Sequence, residues 1–332
     1  MAPAAHFLFA LLAAFAPGTL ASCAYGTHLH PRATEGEIAE PKFGYIGTKG
    51  PTNWHALDVA NGACANGSNQ SPIDMVSESF TMVPGSELNI NIPDFEEGAE
   101  FENLGTTVEV IAKGGTMSVG DVEFSLKQFH FHLPSEHLDN GTSMAMEMHM
   151  VWQSEDSKIA VVGVYIDIDD AAAAERAPNS TVAASAPYST QAHSRSRKHK
   201  NLRKEATKEQ VQRRAGFKAT EAPVTEAAAS TVLETVLGSV DQIPNLGNTL
   251  ETEPLVMSEI VDLLTAGSFQ SYHGSLTTPP CSEGVSWFVS TQKLSIQPST
   301  FIKARNVIGF NSRYPQNSPG EENVLQLAAA SM

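Results

Sequence analysis

Between residues 45 and 168 the chain alternates short apolar runs with Gly, Pro, Asn and Asp. The runs at 87–92, 108–112, 122–131, 144–152 and 159–168 often change polarity at every second residue. Side chains two apart share one face of a strand, so this period marks strands with one face in a core. Helical spacing is confined to 231–240 and 258–265. The second opens on Ser258, read as its N-cap, with Glu259 and Asp262 in the first turn, where acids complement the helix dipole. Strand texture returns at 286–290 and 293–296. The pattern predicts a mainly β fold: a large, central, mostly antiparallel twisted sheet with a few surface helices. No internal repeat interrupts it.

Two stretches break the pattern. Residues 171–230 are rich in Ala, Ser, Thr, Lys and Arg and nearly free of large apolar side chains. Such a composition buries too little surface to offset its ordering entropy, so the stretch is read as a disordered surface insertion. Its basic part, 195–214, is read as solvated loop, with an acidic partner, dibasic processing at Arg213-Arg214, or an unspliced intron as alternatives. At the N-terminus, residues 7–15 are apolar, Pro17 and Gly18 follow, and Ala21, Ser22 and Ala24 are small. That is a signal peptide lacking a basic start; it is too short for a membrane span, which needs ~20 apolar residues. Leu20 to Cys23 also fits a lipoprotein box, which would place the product at the cell surface. The organisation expected is a signal peptide at 1–24, an N-terminal segment at 25–42, a domain at 43–318 carrying the insertion, and a tail at 319–332.

Hydrophobic residues make up 41% and charged residues 17% of the 332, which suits a folded core. The net charge of −16, with nine of 21 Lys and Arg packed into 195–214, argues against nucleic acid as a partner. No later stretch is long and apolar enough for a membrane helix. If Cys23 leaves with the signal peptide, Cys64 and Cys281 remain: one disulfide in an exported protein, or two buried thiols. Asn66, Asn140 and Asn179 head glycosylation triplets.

The densest chemistry is Gln128-Phe129-His130-Phe131-His132, with Glu147-Met148-His149 downstream. On a strand, His130 and His132 share a face with Gln128, and Phe129 and Phe131 take the other. Glu147 and His149 repeat this on a second strand. Side by side, the strands converge three imidazoles, with Gln128 and Glu147 placed to accept their free ring N–H groups. Three His and an open fourth position are a catalytic zinc arrangement. Three isolated packing histidines are the bland reading, which the cost of burying unpartnered imidazoles weakens. The spacing alone leaves other metals open.

These two segments resemble the zinc-binding segments of alpha-class carbonic anhydrases. So do Gly274-Ser275-Leu276-Thr277-Thr278-Pro279-Pro280-Cys281 with Glu283, Val285 and Trp287, the run Gln70-Ser71-Pro72-Ile73-Asp74, and Ser135-Glu136-His137. The run from Asn311 to Gln316 is similar to that of fungal members. The resemblance spans about 43–316, interrupted by the insertion.

It implies one Zn2+ per chain on His130, His132 and His149, and reversible hydration of carbon dioxide to bicarbonate by attack of a zinc-bound hydroxide. Thr277 would orient that hydroxide, with Glu136 accepting the Thr proton and Thr278 alongside. Val151, Val161, Leu276, Val285 and Trp287 would form the apolar wall where carbon dioxide rests. Tyr45 would order active-site water, and His137 and Tyr272 would be structural supports. Family members of the exported kind bridge the positions of Cys64 and Cys281. The family's usual proton-shuttle His is replaced by Thr106, and the Asn near it by Leu104. His273, or His28 and His30, are the substitutes on offer, and proton transfer is expected to limit the rate in dilute buffer. A carbonic-anhydrase-like binding module and a zinc esterase are the alternative functions. The sequence does not give the oligomeric state.

Overall fold

The computed structural model describes residues 38–169 and 229–331, which belong to one compact unit. The expected signal peptide, the segment 25–37, Cys23, Asn179 and nearly all of the insertion lie outside the described residues.

The strands are β1 (Asp74–Met75), β2 (Thr81–Pro84), β3 (Glu100–Asn103), β4 (Val108–Ile111), β5 (Thr116–Val119), β6 (Val122–His132) and β7 (Leu138–Asp139). They continue with β8 (Met146–Ser154), β9 (Ile159–Ile168), β10 (Thr249–Glu251), β11 (Ser268–Ser275), β12 (Glu283–Ser290) and β13 (Leu294–Ile296). Eleven of them form one sheet, in the order β10-β3-β4-β6-β8-β9-β12-β11-β2, with β5 on β6 and β13 on β9. The sheet is mixed: β9 pairs in parallel with β12 and β13, and the other described pairings in it are antiparallel. Its central strands are buried on both faces, which is why 159–168 reads as a continuous apolar run.

Helices α1 (Trp54–Leu57) and α2 (Ala63–Asn66) precede the sheet; α3 (Thr231–Gly238), α4 (Ser258–Ala266), α5 (Pro298–Ile308) and α6 (Val324–Ala330) follow or interrupt it. On one sheet face Phe129, Phe131, Met146, Met148 and Met150 pack with Leu233 and Val236 of α3, Leu264 of α4 and Ala304 of α5 in the main core. The opposite face of the same strands carries the histidines. No described helix is long and apolar enough to cross a membrane.

Three local expectations change. Residues 87–92 are not a strand: a 3-10 turn covers Gly85–Leu88, and Asn89 is left-handed at φ 45°, its amide bonded to Ser118 Oγ at 2.9 Å. Leu88, Ile90 and Ile92 are still buried, so the alternation reported burial correctly without a ladder. Ser258 is the first helical residue rather than the cap; Asp94, from a distant loop, accepts its N–H at 2.8 Å. Ser230 caps α3, accepting from the Leu233 N–H, and so belongs to the folded domain. Asp169 and Ser230 donate their N–H groups to Ile296 and Ser295 of β13, so the chain leaves and re-enters the domain at adjacent points.

Candidate metal centre

The ladder between β6 and β8 sets His130 opposite His149 and His132 opposite Glu147. Ring centroids lie 5.1 Å apart for His130 and His132, 5.4 Å for His130 and His149, and 4.5 Å for His132 and His149. All three are buried. One nitrogen of each ring is already committed: His130 Nδ1–H donates to Gln128 Oε1 at 2.8 Å, His132 Nδ1–H to the Asn311 carbonyl at 2.9 Å, and His149 Nε2–H to Glu147 Oε1 at 2.9 Å. These bonds fix the tautomers. They leave lone pairs on His130 Nε2, His132 Nε2 and His149 Nδ1, three buried atoms with no hydrogen-bond partner. The rings offer ligand atoms within 4.8 Å of one another. Buried acceptors left bare are costly, and a cation taking all three lone pairs removes that cost. The residues therefore fit a metal of the zinc kind, for which three neutral imidazoles are a suitable set.

Burial, reinforced by the neighbouring rings, holds His130 well below the usual imidazole range and His132 at about 3. Neutral rings are the form that binds a metal. Glu147 is the hub behind them. Its Oε1 accepts from His149 and from His137 Nδ1 at 2.7 Å, and its Oε2 from the N–H groups of Glu136 and His137, both at 2.8 Å. Burial alone would raise this carboxyl; His137 and His149 outweigh it and hold it well below the carboxylate range. His137 Nε2 accepts from the Tyr272 hydroxyl at 2.7 Å, and Tyr272 in turn meets Ser71 Oγ at 2.8 Å. Both His137 nitrogens are thus spoken for, and His137 is a support rather than a fourth ligand.

A family model for eukaryotic-type carbonic anhydrase matches residues 49–184 and 190–324. The chain belongs to that family. It is 26% identical over 278 residues to a carbonic anhydrase of Nostoc, covering 83% of this chain and 80% of the relative. The solved fungal alpha carbonic anhydrase of Aspergillus oryzae is 30% identical, with a TM-score of 0.68, over 88% of this chain and all of that one. The alpha carbonic anhydrase of Thermovibrio ammonificans, solved with the inhibitor sulfanilamide, is 26% identical with a TM-score of 0.61, over 85% and 97%.

The other residues expected at the site lie around the three rings. Glu136 Oε1 accepts the Arg313 N–H at 2.8 Å, while Oε2 lies 3.5 Å from His132 Nε2 and 3.9 Å from His149 Nδ1. Burial raises this carboxyl to about 7, against the pull of His149, the Arg313 N–H and the Thr277 hydroxyl. Thr277 Oγ1 is near enough to exert that pull, yet neither it nor Glu136 Oε2 completes a hydrogen bond by geometry. Thr277 and Thr278 sit on a tight turn closed by Leu276 N–H to Ser282 O and Cys281 N–H to Thr278 O. A Cys64–Cys281 disulfide anchors that turn to α2.

Val151, Val161, Leu276, Val285 and Trp287 fall in one buried cluster on the histidine face. Trp287 is wedged 4.9 Å from the His149 ring and 4.7 Å from His137, and its indole N–H is bonded to Ser275 O. Tyr45 is half-buried against Phe43 and Trp54. Its phenol is pushed well up by burial and then by Glu136. Leu104 is core, packed on Ile38. His273 is exposed, and its neighbour Tyr272 bonds to His137; alternation along β11 turns His273 to the opposite face.

Three roles were missed from sequence. Asn311 supplies the carbonyl for His132, and its side chain bonds the backbone of Leu133, Thr106 and Phe131. Arg313 ties Glu136 to Ser71, Cys64 and Gln70. Gly163 lies opposite His149, and a Cβ there would meet Glu147 Oε1 at 2.9 Å. The 311–316 motif and the glycine inside an apolar run were the available signals; neither says what it touches.

Proposed function

We propose that this carbonic anhydrase hydrates carbon dioxide reversibly to bicarbonate and a proton, with one Zn2+ held by His130, His132 and His149. The observation that carries the reading is the set of three bare, buried ring nitrogens whose tautomers are each fixed by a separate acceptor. A zinc ion in such a site would supply a Lewis acid that lowers the pKa of bound water to about 7, the value established for carbonic anhydrase itself.

The chain's own residues do the rest. Gln128, Asn311 O and Glu147 keep the imidazoles aimed and in one tautomer, while burial keeps His130 and His132 neutral. Glu136, anchored by Arg313 and open at Oε2, accepts the Thr277 hydroxyl proton. Thr277 is then an acceptor toward the metal side and orients the attacking oxygen, with Thr278 beside it. Val151, Val161, Leu276, Val285 and Trp287 give an uncharged, weakly polar substrate an apolar resting surface and exclude competing water. Tyr45 orders the water that carries the released proton outward.

The test is zinc content with a stopped-flow hydration assay on the purified protein. About one zinc per chain and hydration that disappears on chelation are expected; a zinc-loaded protein inert toward carbon dioxide overturns the reading. We further propose that the chain is exported after cleavage near residue 24. The disulfide and the exposed Asn66 and Asn140 suit that route. N-terminal sequencing of secreted protein checks it, and retention of residues 1–24 would refute it.

A further inference from the structure

Two glycosylation triplets fall within the described residues, Asn66-Gly67-Ser68 and Asn140-Gly141-Thr142. Each offers a side-chain amide with a hydroxyl two positions on, the pattern that N-linked glycosylation requires. Both asparagines are exposed. Exposure does not separate them, but what each amide already does in the fold separates them sharply.

Asn66 ends α2. Its backbone N–H closes the helical turn on the Gly62 carbonyl at 3.2 Å, and its side chain makes no hydrogen bond among the described residues. The backbone that follows is tied down by other groups. Gly67 N–H donates to Ala63 O at 3.0 Å, Gly67 O accepts from Asn323 Nδ2 at 3.0 Å, and Asn69 N–H donates to Glu283 Oε1 at 2.7 Å. Asn66 and Ser68 stay exposed between these ties. The four residues of α2 fall far short of the ~12–15 that an isolated helix needs, so the triplet is open in a chain still being made.

Asn140 is fully occupied. With Gly141 it forms a two-residue hairpin turn, both φ positive at 49° and 78°, closed by the paired backbone bonds of Asp139 and Thr142. Asn-Gly is the dipeptide that a type I′ turn favours. The Asn140 Oδ1 accepts the Ser77 N–H at 2.8 Å, and its Nδ2 donates to Ser77 Oγ and to Asp139 Oδ1, each at 2.9 Å. An amide nitrogen has two hydrogens, and both are spent. A glycan would replace one of them and fill the space of its acceptor. Hairpins close in ~1–10 μs while a chain grows by ~5–20 residues per second, so this turn competes for its triplet from the moment it emerges.

We propose that the exported protein carries an N-linked glycan on Asn66, and that the turn at 139–142 keeps Asn140 bare. The transfer joins Asn66 Nδ2 to the anomeric carbon of an oligosaccharide and breaks that carbon's bond to the pyrophosphate of a lipid-linked donor. One Nδ2 proton is released as the lipid pyrophosphate leaves. The proposal rests on the export reading above.

The experiment takes the full chain secreted from a glycosylating eukaryotic host. Its N-glycans are removed enzymatically in heavy-oxygen water, which turns each carrier Asn into a heavy-labelled Asp, and the peptides are mapped by mass spectrometry. Most chains should be labelled at Asn66 and few at Asn140. A cleaved, secreted chain without label at Asn66 overturns the glycan, and equal label at Asn140 overturns the protection. N-terminal sequencing of the same sample separates the two readings: retention of residues 1–24 refutes export, and the glycan falls with it. Ser68→Ala should abolish the label at Asn66 and speed migration on a gel; unchanged migration means that Asn66 is not a carrier. Gly141→Ala, which forces a side chain onto a positive φ, and Ser77→Ala, which removes one acceptor, should each raise the label at Asn140 several-fold. If Asn140 stays bare in both variants, the turn is not what protects it.

Discussion

The two faces of β6 and β8 are equally dry and are built on opposite principles. One carries Phe129, Phe131, Met146, Met148 and Met150, which interlock with three helices by shape alone. The other carries Gln128, His130, His132, Glu147 and His149, in which most polar atoms are paired; of the four that are not, three are ring nitrogens that converge on one point and the fourth is Gln128 Nε2. Apolar packing is non-directional and tolerant of small shifts, so it supplies stability. Buried polar groups penalise any misplacement, so that face supplies position and leaves three lone pairs bare only where a cation repays them. The period-two alternation lets one pair of strands do both.

The comparison breaks most sharply at the ligands. His130→Ala, His132→Ala or His149→Ala should each abolish zinc binding and hydration while leaving the circular dichroism of the fold in place. Near-normal hydration by any one of them would sink the assignment. Phe129→Ala should do the reverse, costing about 3–5 kcal/mol of unfolding free energy. Urea titration measures it, and the zinc stoichiometry of the surviving folded protein should remain about one.

Gly163→Ala tests how closely the polar face is fitted. The new methyl would displace the Glu147 carboxylate that aims His149, so zinc affinity should fall ~10–100-fold, as for Glu147→Gln. Competition with a chromogenic chelator reads both variants, and an unchanged affinity in Gly163→Ala would show that Glu147 can shift freely.

Metal-stripped protein should betray the polar face by pH. His130 and His132 are depressed from about 6.5, His132 to about 3, so the unfolded chain takes up protons the folded one refuses, and stability falls as pH drops from about 6.5. Glu136, raised to about 7 from 4.5, works the other way between those values and returns part of the loss. Two histidines against one carboxyl leave a net loss to pH 4.5, steeper below it. Thermal melts in chelator across that range check the sign, and the zinc-loaded protein should show a much weaker dependence.

The smallest effect expected lies farthest from either face. Because Asp169 and Ser230 are held side by side by β13, deleting 175–228 only shortens a loop whose closure entropy changes by ~0.6 kcal/mol per doubling of length. Zinc content and hydration should survive the deletion, and unfolding of the truncated domain would show that the segment is part of the core.

What the sequence determined by itself was local and periodic. Alternation placed His130, His132 and His149 on one face with Gln128 and Glu147, because side-chain direction along a strand follows from residue spacing alone. The same rule located β4, β6, β8 and β9 within a residue or two. It failed at 87–92, where Asn89 turns left-handed, and at the start of α4, where the cap comes from Asp94. Those outcomes depend on partners far along the chain. Only the tertiary structure decided which acceptor each imidazole found. Gln128 and Glu147 were legible because they lie two residues from their ligands. The carbonyl of Asn311, 179 positions from His132, was not, nor was the Arg313 link to Glu136, 177 positions away. Gly163 read as a gap in an apolar run until the register set it beneath the Glu147 carboxylate. Residue type and period are written in the sequence, whereas distance between remote segments exists only once the sheet has closed its register.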